Sequence, residues 1–210
     1  MIEQGTPEWH ALRCGKVTAS RVADIMRSGK GNAPSASRAR YMGELAAERL
    51  TGVAQKTFKS ADMQWGNDTE DQARSVFAFE RGLNVETIAF VEHSTIEMSG
   101  ASPDGIIGDD GLVEFKCPAS HTHISTLLSD KINPDYVRQM QWQMACTGRQ
   151  WCDFASYDPR MPAEMSLYVT RFYRDDAAIA AMEEAVTDFI IELGDMVRDL
   201  RRKYQMEAAA

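Results

Sequence analysis

Residues 99–118, Ser-Gly-Ala-Ser-Pro-Asp-Gly-Ile-Ile-Gly-Asp-Asp-Gly-Leu-Val-Glu-Phe-Lys-Cys-Pro, restrict this chain more than any other stretch. The run Gly108-Asp109-Asp110-Gly111 is a tight-turn sequence between two apolar segments, so a β-hairpin is predicted. Side chains alternate along a strand, which puts Leu112, Glu114 and Lys116 on one face and Val113, Phe115 and Cys117 on the other. An acid and a base then stand side by side on an apolar frame. Asp104, at one end of the preceding strand, reaches the same spot across the hairpin. Converging carboxylates repel each other and lose solvation, and a divalent cation removes that conflict.

Composition permits an enzyme of this kind. The 210 residues, 44% hydrophobic and 26% charged, suit one globular domain over 1–210. No apolar run is long enough for a membrane span and no signal-peptide pattern opens the sequence, so a cytoplasmic location is expected. Cys14, Cys117, Cys146 and Cys152 form no Cys-x-x-Cys pair, which argues against zinc and a disulfide framework. The net charge of −8 opposes a generic nucleic-acid coat, but a local basic patch suffices for an enzyme on DNA.

A short helix is predicted over residues 7–14, with Pro7 at its first position and Trp9 and Leu12 packing inward. Ser20 is read as the N-cap of a helix through Met26, which with Arg13 nearby offers a phosphate site. Residues 27–38 form a basic loop that lacks the phosphate-loop pattern Gly-x-x-x-x-Gly-Lys-Ser/Thr. Helices follow from about Ser37 to Thr51, stopped by Gly52, and from about Ser60 to Arg81, stopped by Gly82. On the second, Glu70 lies on or beside the stripe of Ala73 and Phe77, where a carboxylate is either paired, bound to metal or angled out to water. Residues 84–92 read as a strand and 134–147 as a helix ended by Gly148. That helix carries Gln139 and Gln143 one turn apart, amides able to bind a phosphate or a water without adding charge, whereas Gln141 is assigned to a plain polar face. Strands Trp151 to Ser156 and Ser166 to Tyr173 precede a long helix from about Asp176 to Tyr204. The order implies an α/β chain, a mixed central sheet flanked by helices.

Pro103-Asp104 followed by Glu114-Phe115-Lys116 resembles the PD-(D/E)xK nuclease motif. More of the chain joins it: Trp9-His10-Ala11-Leu12-Arg13-Cys14-Gly15-Lys16-Val17-Thr18-Ala19-Ser20, Trp65-Gly66 with Glu70, Ser102-Pro103-Asp104-Gly105, Gln139 in its helix, and Tyr157-Asp158-Pro159-Arg160-Met161. In that order these blocks resemble the phage lambda exonuclease, or YqaJ-like viral recombinase, family. The resemblance implies a restriction-endonuclease-like PD-(D/E)xK core and a 5′→3′ exonuclease on linear double-stranded DNA. It further implies mononucleotide products, a 3′ tail for a single-strand annealing protein, a ring-shaped homotrimer, and a phage or prophage origin. Carried over, Glu70, Asp104 and Glu114, with the Phe115 carbonyl, match ligands of Mg²⁺, two ions being the expectation and Mn²⁺ a substitute. Lys116 matches the catalytic lysine and Gln139 the glutamine near the scissile phosphate. Arg13, Ser20 and Ser102 match the 5′-phosphate pocket, and Arg27 a further basic residue. Some members carry an arginine where this chain has Ser120 to His123; His121 and His123 there could bind metal, but two solvated loop histidines are expected. A restriction-type endonuclease and a non-catalytic DNA-binding module are the competing readings.

Overall fold

In the computed structural model, which describes residues 2–29, 33–55 and 61–205, a four-stranded mixed sheet carries the predicted hairpin. Its strands run in the order β4 (Gly105–Ile107), β5 (Gly111–Lys116), β6 (Trp151–Tyr157) and β7 (Leu167–Tyr173). The β4–β5 and β6–β7 pairs are antiparallel and β5–β6 is parallel. A parallel step needs a crossover, which α5 (Ser120–Ser129) and α6 (Pro134–Thr147) supply.

The alternation predicted for β5 sorts the two faces of this sheet. Val113, Phe115 and Cys117 pack with Ala73 and Phe77 of α4 (Ala61–Arg81). Leu112 packs on the other face with Met140 and Met144 of α6. Glu114, in phase with Leu112, therefore faces α6, while α4 lies behind the intervening residues. A second, three-stranded sheet has the order β1 (Val17–Thr18), β3 (Ser99–Ala101), β2 (Val91–Glu92). Beyond it, α2 (Val22–Met26), α3 (Ala36–Thr51) and the inner stripe of α8 (Asp176–Lys203) close around Trp142, with Tyr41 stacked on Phe189. Gly52 and Gly148 end α3 and α6 in the left-handed conformation, as their positions in the sequence predict.

Several expectations are corrected. Residues 84–92 yield only Val91–Glu92 and one isolated bridge, Glu86 to Ile106. Here side chains replace a ladder: Gln4 Nε2 donates to Ile88 O, and Trp9 Nε1 and Ser102 Oγ both donate to Ala89 O. Ser20 caps no helix but lies in the 3-10 turn Ala19–Arg21, because the chain leaves β1 only after Thr18. Leu12 is exposed, since the short α1 (Pro7–Arg13) turns only Trp9 and Arg13 toward the protein. Ser120 to His123 is the first turn of α5, not a loop. His121 is exposed but His123 is fully buried, with Nδ1 2.7 Å from Ser156 Oγ and Nε2 2.8 Å from Met165 O. Gln141 is buried and works as a clip, donating to Tyr173 O and accepting from Asp175 N–H. The centre of the basic loop, residues 30–32, and the expected helix start at Ser60 lie outside the described residues.

Candidate active site

Asp104 stands at the entry to β4, and its Oδ2 accepts the Phe115 N–H at 2.8 Å. This bond ties the first acid to the strand that carries the second. Glu114 is 1% exposed and all of its visible bonding is to donors. Oε1 accepts from Lys116 Nζ and, at 2.6 Å, from Gln139 Nε2, while Oε2 accepts from Gln143 Nε2 at 2.6 Å. Both glutamines reach it because residues four apart share a helix face. Glu70 comes from α4, where its carboxylate accepts from Arg74 Nη2 at 2.8 Å. The two alternatives left open for Glu70 meet here: it stands at the edge of the buried stripe of Ala73 and Phe77 and is partly accessible, facing the cleft.

A cleft of about 570 Å³ gathers these groups. Glu70, Asp104, Glu114, Phe115, Lys116 and Gln139 line one part of it, and Arg13, Ser20 and Ser102 another. Arg27 does not line it; it is ion-paired with Asp24 and Asp135. Ser102 Oγ also accepts from Trp9 Nε1 at 3.0 Å, and the Arg13 guanidinium lies 3.7 Å above the Trp9 ring. Burial pulls the Arg13 pKa down to about 10, with Tyr41 and Glu48 opposing it. Its Nε is buried without a hydrogen-bond partner among the described residues. An arginine stacked and partly dehydrated in this way is held ready for an anion.

The acids of the cleft bear the cost of burial and of one another. Burial, and then the charges of Glu114 and Glu70, push the Asp104 carboxyl well above the usual aspartate range. Burial likewise raises Glu70, and Arg74 only partly offsets it. Burial disfavours the Lys116 ammonium, yet Glu114 and Asp104 outweigh that and raise its pKa. Lys116 is thus a firmly protonated cation, suited to donating a hydrogen bond and offsetting negative charge, not to abstracting a proton. Lys116, the Arg74 guanidinium on Glu70 and Arg13 offset much of the charge of the three acids, and it is the hard oxygen donors themselves that suit an oxygen-preferring divalent cation such as Mg²⁺ or Mn²⁺. Among the described residues no three His, Cys, Asp or Glu side chains form a ready cluster for a metal ion. Glu70 is turned to Arg74, and Glu114 to its three donors.

The family model for the YqaJ-like viral recombinase domain matches residues 8–150, which contain every residue of this cleft named above. The chain belongs to the YqaJ-like family. An alkaline exonuclease, LHK-Exo from Laribacter hongkongensis, is 49% identical to it, with a TM-score of 0.90 over 97% of this chain and 100% of that one. The same exonuclease in complex with dAMP matches at a TM-score of 0.89, again at 49% identity over 97% and 100%. A phage-related exonuclease from Haemophilus somnus 129PT shares the fold at 17% identity, with a TM-score of 0.73 over 88% of this chain and 96% of that one. No curated protein sequence matches the chain. Membership in the YqaJ-like family, together with the likeness to LHK-Exo, makes this chain a nuclease.

Within this YqaJ-like cleft, two groups escape a reading by motif. Gln143 touches Glu114 as closely as Gln139 does, and its spacing of four residues was the available signal. Arg74, four residues after Glu70, pairs with it by the same helical spacing.

Proposed function

We propose that this nuclease is a Mg²⁺-dependent 5′→3′ exonuclease on the ends of linear double-stranded DNA, releasing mononucleotides and leaving a 3′ single-stranded tail. The observation that carries the reading is one cleft in which Asp104, Glu114, Lys116 and Glu70 share space with the dehydrated Arg13. Arg13, Ser20 and Ser102 receive the terminal 5′-phosphate, whose extra charge over an internal phosphodiester favours an end. Gln139 orients an oxygen of the scissile phosphate while its Nε2 keeps Glu114 in place. Lys116 holds the attacking water and offsets charge at phosphorus. Glu70, Asp104, Glu114 and the Phe115 carbonyl hold Mg²⁺, two ions by family expectation, with Mn²⁺ able to replace it. When bound, the cation supplies Lewis-acid polarisation of the phosphate and a lowered water pKa.

That LHK-Exo binds dAMP supports this reading, because a nucleoside monophosphate is the product it requires. The viral recombinase family is consistent with a phage or prophage setting, and the proposal extends to a single exonuclease domain over 1–210, a ring-shaped homotrimer and a single-strand annealing protein as the consumer of the tail. No described helix is long and apolar enough to cross a membrane.

One plasmid tests the reading, offered covalently closed or linearised, with Mg²⁺ or with chelator. Acid-soluble nucleotide from the linear form alone, and only with Mg²⁺, is expected. Cutting of the closed circle would point to a restriction-type endonuclease, and no product from either form to a DNA-binding module.

A further inference from the structure

An ionised carboxylate offers about four lone-pair positions. At Glu114 three are filled by the described residues: two on Oε1, by Lys116 Nζ and Gln139 Nε2, and one on Oε2, by Gln143 Nε2. A single position, on Oε2, is left to face an ion. Gln139 and Lys116 line the cleft, whereas Gln143 does not; it is completely buried, and among the described residues its side-chain hydrogen bond to the site is the one to Glu114.

The orientation of the Gln143 amide is set by charge. Turned over, its carbonyl oxygen would oppose the carboxylate of Glu114. In the orientation found, that carbonyl is instead buried with no hydrogen-bond partner among the described residues. Leaving a buried carbonyl unpaired is unfavourable, and the short charge-assisted bond to Glu114 is what offsets it. Lys116 and Gln139 hold Oε1 but both also face the cleft and the substrate groups proposed there, whereas Gln143 holds Oε2 from the buried side and has no such second task.

We propose that Gln143 is a positioning residue for the cation: its bond from the buried side holds the carboxylate plane of Glu114 in place for an ion in the cleft. This rests on the reading of Glu114 as a metal ligand. Partners that orient a ligand from behind contribute about ten- to a hundredfold in metal affinity, and the effect here is expected within that range.

The test uses the full chain and the substitution Gln143→Met, which keeps length and volume but withdraws the donor. Mn²⁺ is titrated calorimetrically without DNA, and Tm is measured in chelator and in saturating Mn²⁺. The parent is expected to bind Mn²⁺ and gain Tm with it. Q143M is expected to bind at least about tenfold more weakly and to lose most of that gain. The Mg²⁺ concentration for half-maximal cleavage should rise by the same factor, with KM for DNA ends unchanged. A merely structural role lowers Tm equally with and without Mn²⁺ and leaves the Mn²⁺ affinity at the parent value; that result overturns the proposal while the metal reading stands. A parent chain that takes up no Mn²⁺ overturns the metal reading and this inference with it. Should Q143M not fold, Gln143→Asn, one methylene short of Glu114, is read by the same measurements.

Discussion

At Asp104 the chemistry can be followed through its proton. Burial and the charges of Glu114 and Glu70 raise its pKa in the folded chain above the unfolded value of about 3.9. For an acid the sign follows: the folded form holds the proton more tightly, so without metal the contribution of Asp104 to stability falls as pH rises from about 4 toward the folded pKa. A cation must displace the same proton, so its affinity climbs with pH until Asp104 is ionised. Calorimetric Mn²⁺ titrations at pH values rising from the unfolded aspartate value of about 4 are expected to tighten by at most about tenfold per pH unit for one proton, and Asp104→Asn to flatten the slope. Lys116→Ala removes the ammonium bonded to Glu114; cleavage is expected to fall by about a hundredfold or more while duplex binding, followed by fluorescence anisotropy, persists. Parent-like turnover by that variant would remove the role given to Lys116. Arg13→Ala is expected to erase about ten- to a hundredfold of the preference for 5′-phosphorylated over 5′-hydroxyl ends, the magnitude of a lost charged hydrogen bond. An unchanged ratio of the two rates would place end recognition elsewhere.

Between elements, the loop after β6 braces the loop after β5. Asp158 is buried and accepts from Arg160 Nε at 2.7 Å, while Arg160 Nη2 also reaches Pro118 O at 3.1 Å, two residues past Lys116. The Arg160 guanidinium stands 4.4 Å over Trp65 of α4. Burial works to raise the Asp158 pKa, but bonds from Arg160 and Ser120 outweigh it and hold it at about 2. Its stabilisation is therefore complete above the unfolded pKa of about 4 and is lost as pH falls through about 2. Asp158→Asn is expected to cost about 1–3 kcal/mol in chemical denaturation and to lose the part of the acid transition that Asp158 carries. The same region shows what a sequence discloses. Elements with a strong period and a stop signal, such as α3 before Gly52 and α6 before Gly148, are legible because helix geometry and left-handed glycine are local facts. Tyr157-Asp158-Pro159-Arg160-Met161 is legible as a motif, but its partner Pro118 is 42 residues away from Arg160, and no local rule supplies that contact. Residues 84–92 mislead because β-branched side chains signal an extended chain without saying whether side chains or a strand will take its carbonyls. α5 hides because its Ser, Thr and His residues make no apolar stripe, and His123 enters the core only through Ser156 and Met165. That Glu114 and Lys116 share a face was readable from alternation on β5, whereas the second glutamine on Glu114 needed the packing of α6 against that face.

For the whole molecule, the question is how a chain with a net charge of −8 stays on DNA. Purely electrostatic retention depends on released counterions and weakens steeply with salt. Enclosure by a ring does not: once loaded, the DNA leaves only when the ring opens or the end is reached. The proposed homotrimer makes two linked predictions. Light scattering after size exclusion should give three chain masses at concentrations that support processive digestion. When the enzyme is preloaded on a long linear duplex and chased with excess competitor DNA, the tract degraded per binding event should change little as salt rises from about 50 to 200 mM, although loading itself slows. A tract that shortens steeply with salt would mean that charge, not topology, retains the DNA. In that case the acidic surface would have to be interrupted by a basic track, and the ring would lose its purpose even if three chains were found together.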